Sequence, residues 1–356
     1  MENMWHQDVL WEEGKPAEAV VPAVFTFILV YIRCNKKALV SGCTTLDVQH
    51  LDSENCLRCP NNEWPNGKKD QCITKHEDFL SYTNDAIAAV LSSASILFCL
   101  VTIVILIIFI VFRDTPIVKA NNKNISFVLL VSLMLSFLSV FFYLGRPVDL
   151  TCRLRHTLFS VLFSIAISSL LGKTVMIYIV FQAAKPCGSL ANWVSVKVSN
   201  SVVILCSLIQ VIINICWFSI SPPFQELDMH SYPGKIIVQC NEGSVIAFYS
   251  VLGYMGLLAA LSFIIAFLAR TLPDSFNEAK YITFSMLVFC SVWIAMIPAY
   301  LSTKGKNMVA VEIFAILASC AGLVGCIFIP KCHIILFRPK MNTKADFRKF
   351  RKSLIK

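Results

Sequence analysis

Two ionisable residues lie in or beside long apolar stretches of the sequence, where a charge is expensive and therefore informative. Lys173 lies within the apolar residues 156–181, and Glu278 lies just before the apolar residues 281–301. A lysine in this setting can extend its ammonium group toward lipid headgroups, or it can pair with a carboxylate. A Lys173–Glu278 pair would hold two segments together and would break when they separate. From the spacing alone, both interpretations remain open.

Several cysteines lie outside the apolar runs, where they could form disulfides or bind a metal. Cys56, Cys59 and Cys72 lie in a polar stretch before the first apolar run, and Cys152 and Cys240 lie beside later runs. A bridge from Cys152 to Cys240 would join two of these later segments. The Cys56-x-x-Cys59 spacing also occurs in zinc sites, but one such pair without a second is weak evidence for a metal. We therefore favour disulfides, including bonds at Cys59 and Cys72, and predict no metal site.

Enzyme motifs are missing from the sequence. It contains no HExxH, GxSxG or phosphate-binding-loop pattern, so we predict a protein that is not an enzyme and uses no cofactor. Residues 331–356 are rich in Lys and Arg, which would suit nucleic acid or a membrane surface. Because this stretch directly follows an apolar run, attraction to anionic lipid is the better account, at about 1 kcal/mol per charge. We predict membrane lipid as a partner and no nucleic acid.

Seven apolar stretches are long enough to position these residues across a membrane, which takes about 20 helical residues. They are residues 86–112, 125–144, 156–181, 199–220, 245–269, 281–301 and 308–329. None shows the alternating pattern of a barrel strand. Apolar residues make up 56% of the sequence and charged residues 15%, whereas soluble domains average about 45–50% and 25%. The predicted fold class is an all-α membrane protein, a seven-transmembrane helix bundle.

The distribution of Lys and Arg predicts the orientation of this bundle. If its N-terminus is extracellular, the cytosolic segments carry more Lys and Arg than the short external loops, largely through the C-terminal tail. The same orientation places the five cysteines named above on the oxidising side, where disulfides persist. We therefore expect the bundle to begin outside the cell, after a short disulfide-bearing segment.

Several motifs give the chain a family resemblance. Residues 113–122, RDTPIVKANN, resemble the first intracellular loop of class C G-protein-coupled receptors, and residues 272–286, LPDSFNEAKYITFSM, resemble the third loop and sixth helix. Within that class, the sequences SPPF at 221–224, LDMHS at 227–231 and CNEGS at 240–244 resemble vomeronasal type-2 pheromone receptors. Calcium-sensing and taste receptors share the intracellular loops but differ in the second external loop. The resemblance spans residues 52–341.

This resemblance implies roles for individual residues. It makes Cys152–Cys240 the disulfide of the extracellular face and Lys173–Glu278 an ionic lock that restrains the inactive state, which favours pairing of Lys173 over snorkelling. It also implies a surface on the cytosolic loops that is offered to a G protein. This surface includes Lys185, Pro186, Phe276 and Asn277.

In the sixth helix, the resemblance places Trp293 near the floor of a membrane cavity in which modulators bind. Trp293 and Pro298 could form a hinge, although aromatic packing and a tolerated membrane proline explain them equally well. Cys56, Cys59 and Cys72 resemble the end of the cysteine-rich linker that precedes the helices in this class.

The domain organisation departs from the family upstream of the helices. Class C receptors bind agonists in a large two-lobed extracellular domain, followed by a cysteine-rich domain, and residues 1–51 resemble neither. Their acidic start is unlike a signal peptide, and the apolar residues 17–32 are short for a span. This apolar stretch could act as a poor signal, as an eighth membrane segment or as translated non-coding sequence. We favour a truncated gene model or pseudogene-like product, in which residues 1–51 could be an artefact, over a naturally short receptor. The expected domains are 1–51 unassigned, 52–84 end of the linker, 85–330 seven-transmembrane domain and 331–356 basic cytoplasmic tail.

The resemblance implies a multi-pass plasma-membrane receptor that transmits the binding of a pheromone or other chemosensory ligand. Its expected partners are a heterotrimeric G protein and a class C receptor with which it dimerises. The alternative is a non-signalling receptor fragment or dimer partner that lacks the agonist domain. A calcium-sensing-like or taste-like receptor is less favoured. A transporter is least favoured, because the sequence has no internal repeat and an odd number of spans.

Overall fold

The computed structural model describes residues 47–49, 56–68, 71–83, 85–120, 122–182, 188–229, 232, 234–270 and 278–337. Within these residues the protein consists of eight helices and seven short strands. The helices are α1 Ala86–Val111, α2 Pro116–Ala120, α3 Lys123–Ser139, α4 Asp149–Gln182, α5 Gly188–Ile220, α6 Val245–Ala269, α7 Glu278–Ser302 and α8 Lys306–Phe337. A 3-10 turn, Val140–Phe142, extends α3.

Seven of these helices, all except the five-residue α2, are long and apolar enough to cross a membrane. The predicted seven-helix bundle is therefore confirmed. The predicted apolar run 245–269 has the same bounds as α6. Ser244 precedes this helix and accepts a hydrogen bond from the backbone N–H of Ala247. A serine that satisfies a free N–H in this way is a common start of a helix.

Other helices extend well beyond the apolar runs that predicted them. Helix α4 begins at Asp149 rather than at residue 156, and α5 begins at Gly188 rather than at residue 199. Helix α8 continues to Phe337, past the predicted end at residue 329 and into the expected tail. Hydropathy detects only the part of a helix that matches hydrocarbon, so polar turns at helix ends escape it.

Helix α4 is the centre of the bundle. It packs against α3, α5, α6 and α7, and most of its apolar length is buried, which is not the case for α1. Small residues allow a close approach between α4 and α5: a Cβ atom on Gly172 would lie 3.0 Å from the carbonyl oxygen of Ser199. Such contacts between small residues are typical of helix pairs in membranes.

Seven short strands form three small sheets. Five strands lie in the segment before α1, and two lie between α5 and α6. Strands β1 Asp47–Gln49 and β2 Cys56–Arg58 pair antiparallel, as do β3 Glu63–Pro65 and β4 Cys72–Thr74. The third sheet has the order β5-β7-β6, from β5 His76–Asp78, β6 Phe224–Asp228 and β7 Lys235–Asn241. Strand β5 pairs parallel to β7. The segment before α1 is thereby joined to the hairpin between α5 and α6, which the sequence did not predict.

Candidate functional site

Lys173 lies inside the bundle, near the cytosolic end of α4. Its side chain is only 2% exposed, and its Nζ donates hydrogen bonds to Glu278 Oε1 at 3.0 Å and to Ser126 Oγ at 2.8 Å. Glu278 is the first residue of α7, and Ser126 lies on α3. The structure therefore brings together the two residues that the sequence singled out, and it adds a third helix through Ser126.

A second lysine shares the same carboxylate. Lys331 Nζ lies 2.7 Å from Glu278 Oε1, and its side chain is also 2% exposed. Lys331 is in α8, so the prediction that it is the first residue of the basic tail is wrong. The sequence did carry a signal for its burial, because Lys331 falls in register with Ile327, Phe328 and Ile335 on one face of the helix.

Ser126, Lys173, Glu278 and Lys331 together form what we call the charge cluster. It connects α3, α4, α7 and α8 at one end of the bundle. Moving charged groups from water into the bundle costs free energy. The attraction between the lysines and Glu278 mainly offsets this desolvation cost and adds little net stability. Breaking one contact in such a cluster is nevertheless expensive, which makes it suited to holding one arrangement of helices against another.

Trp293 and Pro298 lie further along α7. The Trp293 ring packs on Phe159 and Phe163 of α4, with centroid separations of 5.4 and 5.9 Å, and its Nε1 is buried without a hydrogen-bond partner within the described part of the chain. Pro298 lies inside an otherwise continuous helix and is exposed. The structure thus places Trp293 at the contact between α4 and α7, with Pro298 beyond it on the outer surface.

Two disulfides lie at the opposite, extracellular end. Cys152, in the first turn of α4, is bonded to Cys240 of β7, with a Cα–Cα distance of 5.5 Å. Cys59 is bonded to Cys72, with a Cα–Cα distance of 5.9 Å. Because its thiol is used in this bond, Cys59 is not available to the zinc site that the CxxC spacing had suggested.

Ion pairs connect the segment before α1 to the external loops. Glu77 pairs with Arg146, which lies between α3 and α4, through two contacts of 2.9 Å. Lys306, the first residue of α8, lies 3.3 Å from Asp78 Oδ1 and 2.9 Å from Asp85 Oδ1. Lys235 of β7 lies 3.6 Å from Asp78 Oδ2. Strand β5 is therefore held at each of the three external connections, between α3 and α4, between α5 and α6, and at the start of α8.

The ion pair with Lys306 contributes to a shift in the pKa of Asp85. Partial burial acts to raise the pKa of its carboxyl group. Hydrogen bonds from Lys306 and from the backbone N–H of Ser81, together with the positive charges of Lys306 and Lys235, outweigh burial and hold the pKa below its usual value. Asp85 is thus a carboxylate partner for Lys306 at neutral pH.

The expected G-protein-facing residues lie outside the described part of the chain. These are Lys185, Pro186, Phe276 and Asn277. The same is true of the acidic N-terminal stretch and of the basic residues after Phe337.

Comparison of the sequence with known proteins identifies the family of this chain. Residues 81–331 match the family model described as the 7 transmembrane sweet-taste receptor of 3 GCPR, which contains the whole bundle up to Lys331. The chain belongs to the class C G-protein-coupled receptors. The receptor is a multi-pass plasma-membrane protein, and the family resemblance found in its loops is confirmed.

Individual relatives of the receptor include two vomeronasal proteins of the mouse. It is 51% identical to mouse vomeronasal type-2 receptor 26 over 298 residues, which cover 84% of this chain and 35% of the relative. It is 47% identical to mouse vomeronasal type-2 receptor 116 over 83% of this chain and 34% of the relative. The mouse extracellular calcium-sensing receptor is 43% identical over 82% of this chain and 29% of its own length. The chain thus spans about a third of the length of these relatives.

Proposed function

We propose that this receptor transmits the binding of a pheromone or other chemosensory ligand to a heterotrimeric G protein, through a movement of α7 relative to α4. The observation that carries this proposal is the buried Lys173–Glu278 contact of 3.0 Å between those two helices. In this account the contact is an ionic lock that favours the inactive arrangement. Receptor activation breaks it and exposes the cytosolic surface that contains Lys185, Pro186, Phe276 and Asn277.

The energy of the contact is appropriate for a switch. Losing one partner of a buried charge pair costs about 3–5 kcal/mol, whereas an exposed pair contributes about 0–1 kcal/mol. The side chains of Lys173 and Glu278 are 2% and 10% exposed, which places them in the first group. An equilibrium between two helix arrangements with a gap of a few kcal/mol responds strongly to a term of this size.

The extracellular end provides a route by which ligand binding reaches the helices. In this proposal, residues 52–84 are the end of a cysteine-rich linker, residues 85–330 the seven-transmembrane domain and residues 331–356 the cytoplasmic tail. Movement of the linker would act on β5, which contacts all three external loops. From β7 it would pass to α4 through the Cys152–Cys240 bond. The partner in the membrane is a second class C receptor, with which the chain forms a dimer.

Basal G-protein activation tests the proposal without a known ligand. The full chain is expressed in cells with a panel of sensors for the G-protein families, and the signal is normalised to receptor at the cell surface. Lys173→Ala should raise basal activation by about fivefold or more, a factor typical of coupling free energies between two states.

Lys123→Ala is the matched control, because Lys123 is an exposed lysine at the same end of the bundle. It should leave basal activation unchanged. If Lys173→Ala reaches the surface normally but leaves every sensor at the background level, the chain is a non-signalling subunit and the proposed function is wrong.

A further inference from the structure

We propose that Lys331 makes the Lys173–Glu278 contact reversible, by keeping a charge partner on Glu278 when α7 leaves α4. The two lysines contact the same oxygen, yet their substitution should shift the receptor in opposite directions. This inference rests on the proposed function, because it assigns a role within the same switch.

The geometry of the shared oxygen is the first argument. Glu278 Oε1 accepts from Lys331 Nζ at 2.7 Å and from Lys173 Nζ at 3.0 Å. Two like charges that converge on one acceptor repel each other, so each lysine weakens the hold of the other on Glu278. Lys331 therefore loosens the contact with α4 while it stabilises the carboxylate.

The packing of the helices is the second argument. Helix α7 packs along α8 far more extensively than against α4. A Cβ atom on Gly322 of α8 would lie only 2.9 Å from Val288 Cγ1 of α7, which shows how closely the two helices approach. We therefore place α7 and α8 in one moving unit. The Lys331–Glu278 contact lies within that unit, whereas the Lys173–Glu278 contact crosses its boundary.

The sign of each substitution follows from this division. Without Lys173, the inactive arrangement loses a contact that the active arrangement does not have, so the equilibrium moves toward activity. Without Lys331, both arrangements lose a contact, but the active one also separates Glu278 from Lys173. The buried carboxylate then depends more strongly on α4, and the equilibrium moves toward inactivity.

Amide hydrogen exchange of the purified full chain in lipid nanodiscs measures the switch without a G protein. The segment to follow is the cytosolic end of α7, residues 278–284. Lys173→Met should raise its exchange rate by about fivefold or more, and Lys331→Met should lower it by a similar factor. Lys123→Met, at the exposed lysine of the same end, should leave the rate unchanged.

A double-mutant cycle separates this role from a merely structural one. In a Lys173→Met background the contact between α4 and α7 is absent, and Lys331→Met removes the same contact from both arrangements, so it should no longer change the exchange rate. A rise in exchange in Lys331→Met alone, or an effect that persists in the Lys173→Met background, would overturn the inference. If Lys331→Met is poorly expressed, the same cycle is run with Lys331→Gln, and the same two results overturn it.

Signalling distinguishes the two proposals. Opposite changes in exchange that are followed by opposite changes in basal activation support both. Opposite changes in exchange with no G-protein signal from any variant support the role of Lys331 and contradict the proposed function.

Discussion

Cys240 lies in the middle strand of the extracellular sheet and is covalently bonded to Cys152, in the first turn of the most buried helix. Strand β7 is therefore attached both to its neighbours through backbone hydrogen bonds and to α4 through the disulfide. This arrangement gives the second external loop a fixed position above the bundle.

Loss of this disulfide should destabilise the receptor. Cys152→Ser and Cys240→Ser should each cost roughly 2–5 kcal/mol, because the bond closes a loop with a sequence separation of 88 residues. The double variant should be no worse than either single variant, since both remove the same bond. Thermal unfolding in detergent measures this, with Cys216→Ser, at an exposed free cysteine of α5, as the control.

Exchanging the charges of Lys173 and Glu278 should not restore the basal G-protein activation of the wild type. In the variant Lys173→Glu with Glu278→Lys, the new lysine at position 278 would face Lys331, whose Nζ now lies 2.7 Å from the carboxylate. Adding Lys331→Glu places that lysine between two carboxylates and should return basal activation to within about twofold of the wild type. Basal sensor signals at matched surface expression decide this. Full rescue by the two-residue exchange would contradict the geometry of the charge cluster.

The close contact of α4 and α5 predicts a strong size dependence at Gly172. Gly172→Leu would force a side chain into the carbonyl oxygen of Ser199, 3.0 Å from the Cβ position, and should cost at least about 1–3 kcal/mol. Surface expression and unfolding temperature should both fall. Gly253→Leu, in α6, is the matched control, because nothing lies within 4 Å of its Cβ position. Equal behaviour of the two variants would argue against the α4–α5 contact.

Asp85 should make the stability of the external face dependent on pH. Because its pKa is lowered in the folded receptor, its contribution is present at neutral pH and is lost as the pH falls through that lowered value. The wild type should unfold at a higher temperature than Asp85→Asn between pH 5 and pH 8. The difference should shrink below about pH 4, near the ordinary pKa of an aspartate. A difference that grows on acidification would contradict the Lys306–Asp85 pairing.

The sequence predicted the seven spans because each apolar run in lipid has one solution, a helix that satisfies its own backbone. It also indicated Lys173 and Glu278, since charge in such a run is rare. Lys331 was assigned to the tail because the last apolar run was predicted to end at residue 329, although its register with Ile327, Phe328 and Ile335 was a signal for burial. The helix continues through Pro330, and the burial of Lys331 depends on a carboxylate 53 positions earlier.

The extracellular sheet was unpredictable for a related reason. Strands β5 and β7 pair His76 with Lys235 and Asp78 with Ile237, so their partners lie far apart in the chain. Strand β5 has only three residues, and two of them are acidic. So short and polar a segment carries no periodicity, and its extended shape comes from the neighbour with which it pairs.

The parallel pairing of β5 with β7 also limits how a displacement can travel. Side chains alternate between the two faces of a strand, so a slip of one residue would turn Asp78 away from Lys306 and Lys235. The smallest slip that keeps Asp78 on its face is two residues, or about 6.6 Å in a parallel pair. A smaller displacement of β5 along β7 therefore has no stable intermediate register. Such a displacement should instead tilt the three-stranded sheet as a rigid body. The Cys152–Cys240 disulfide would transmit that tilt to α4.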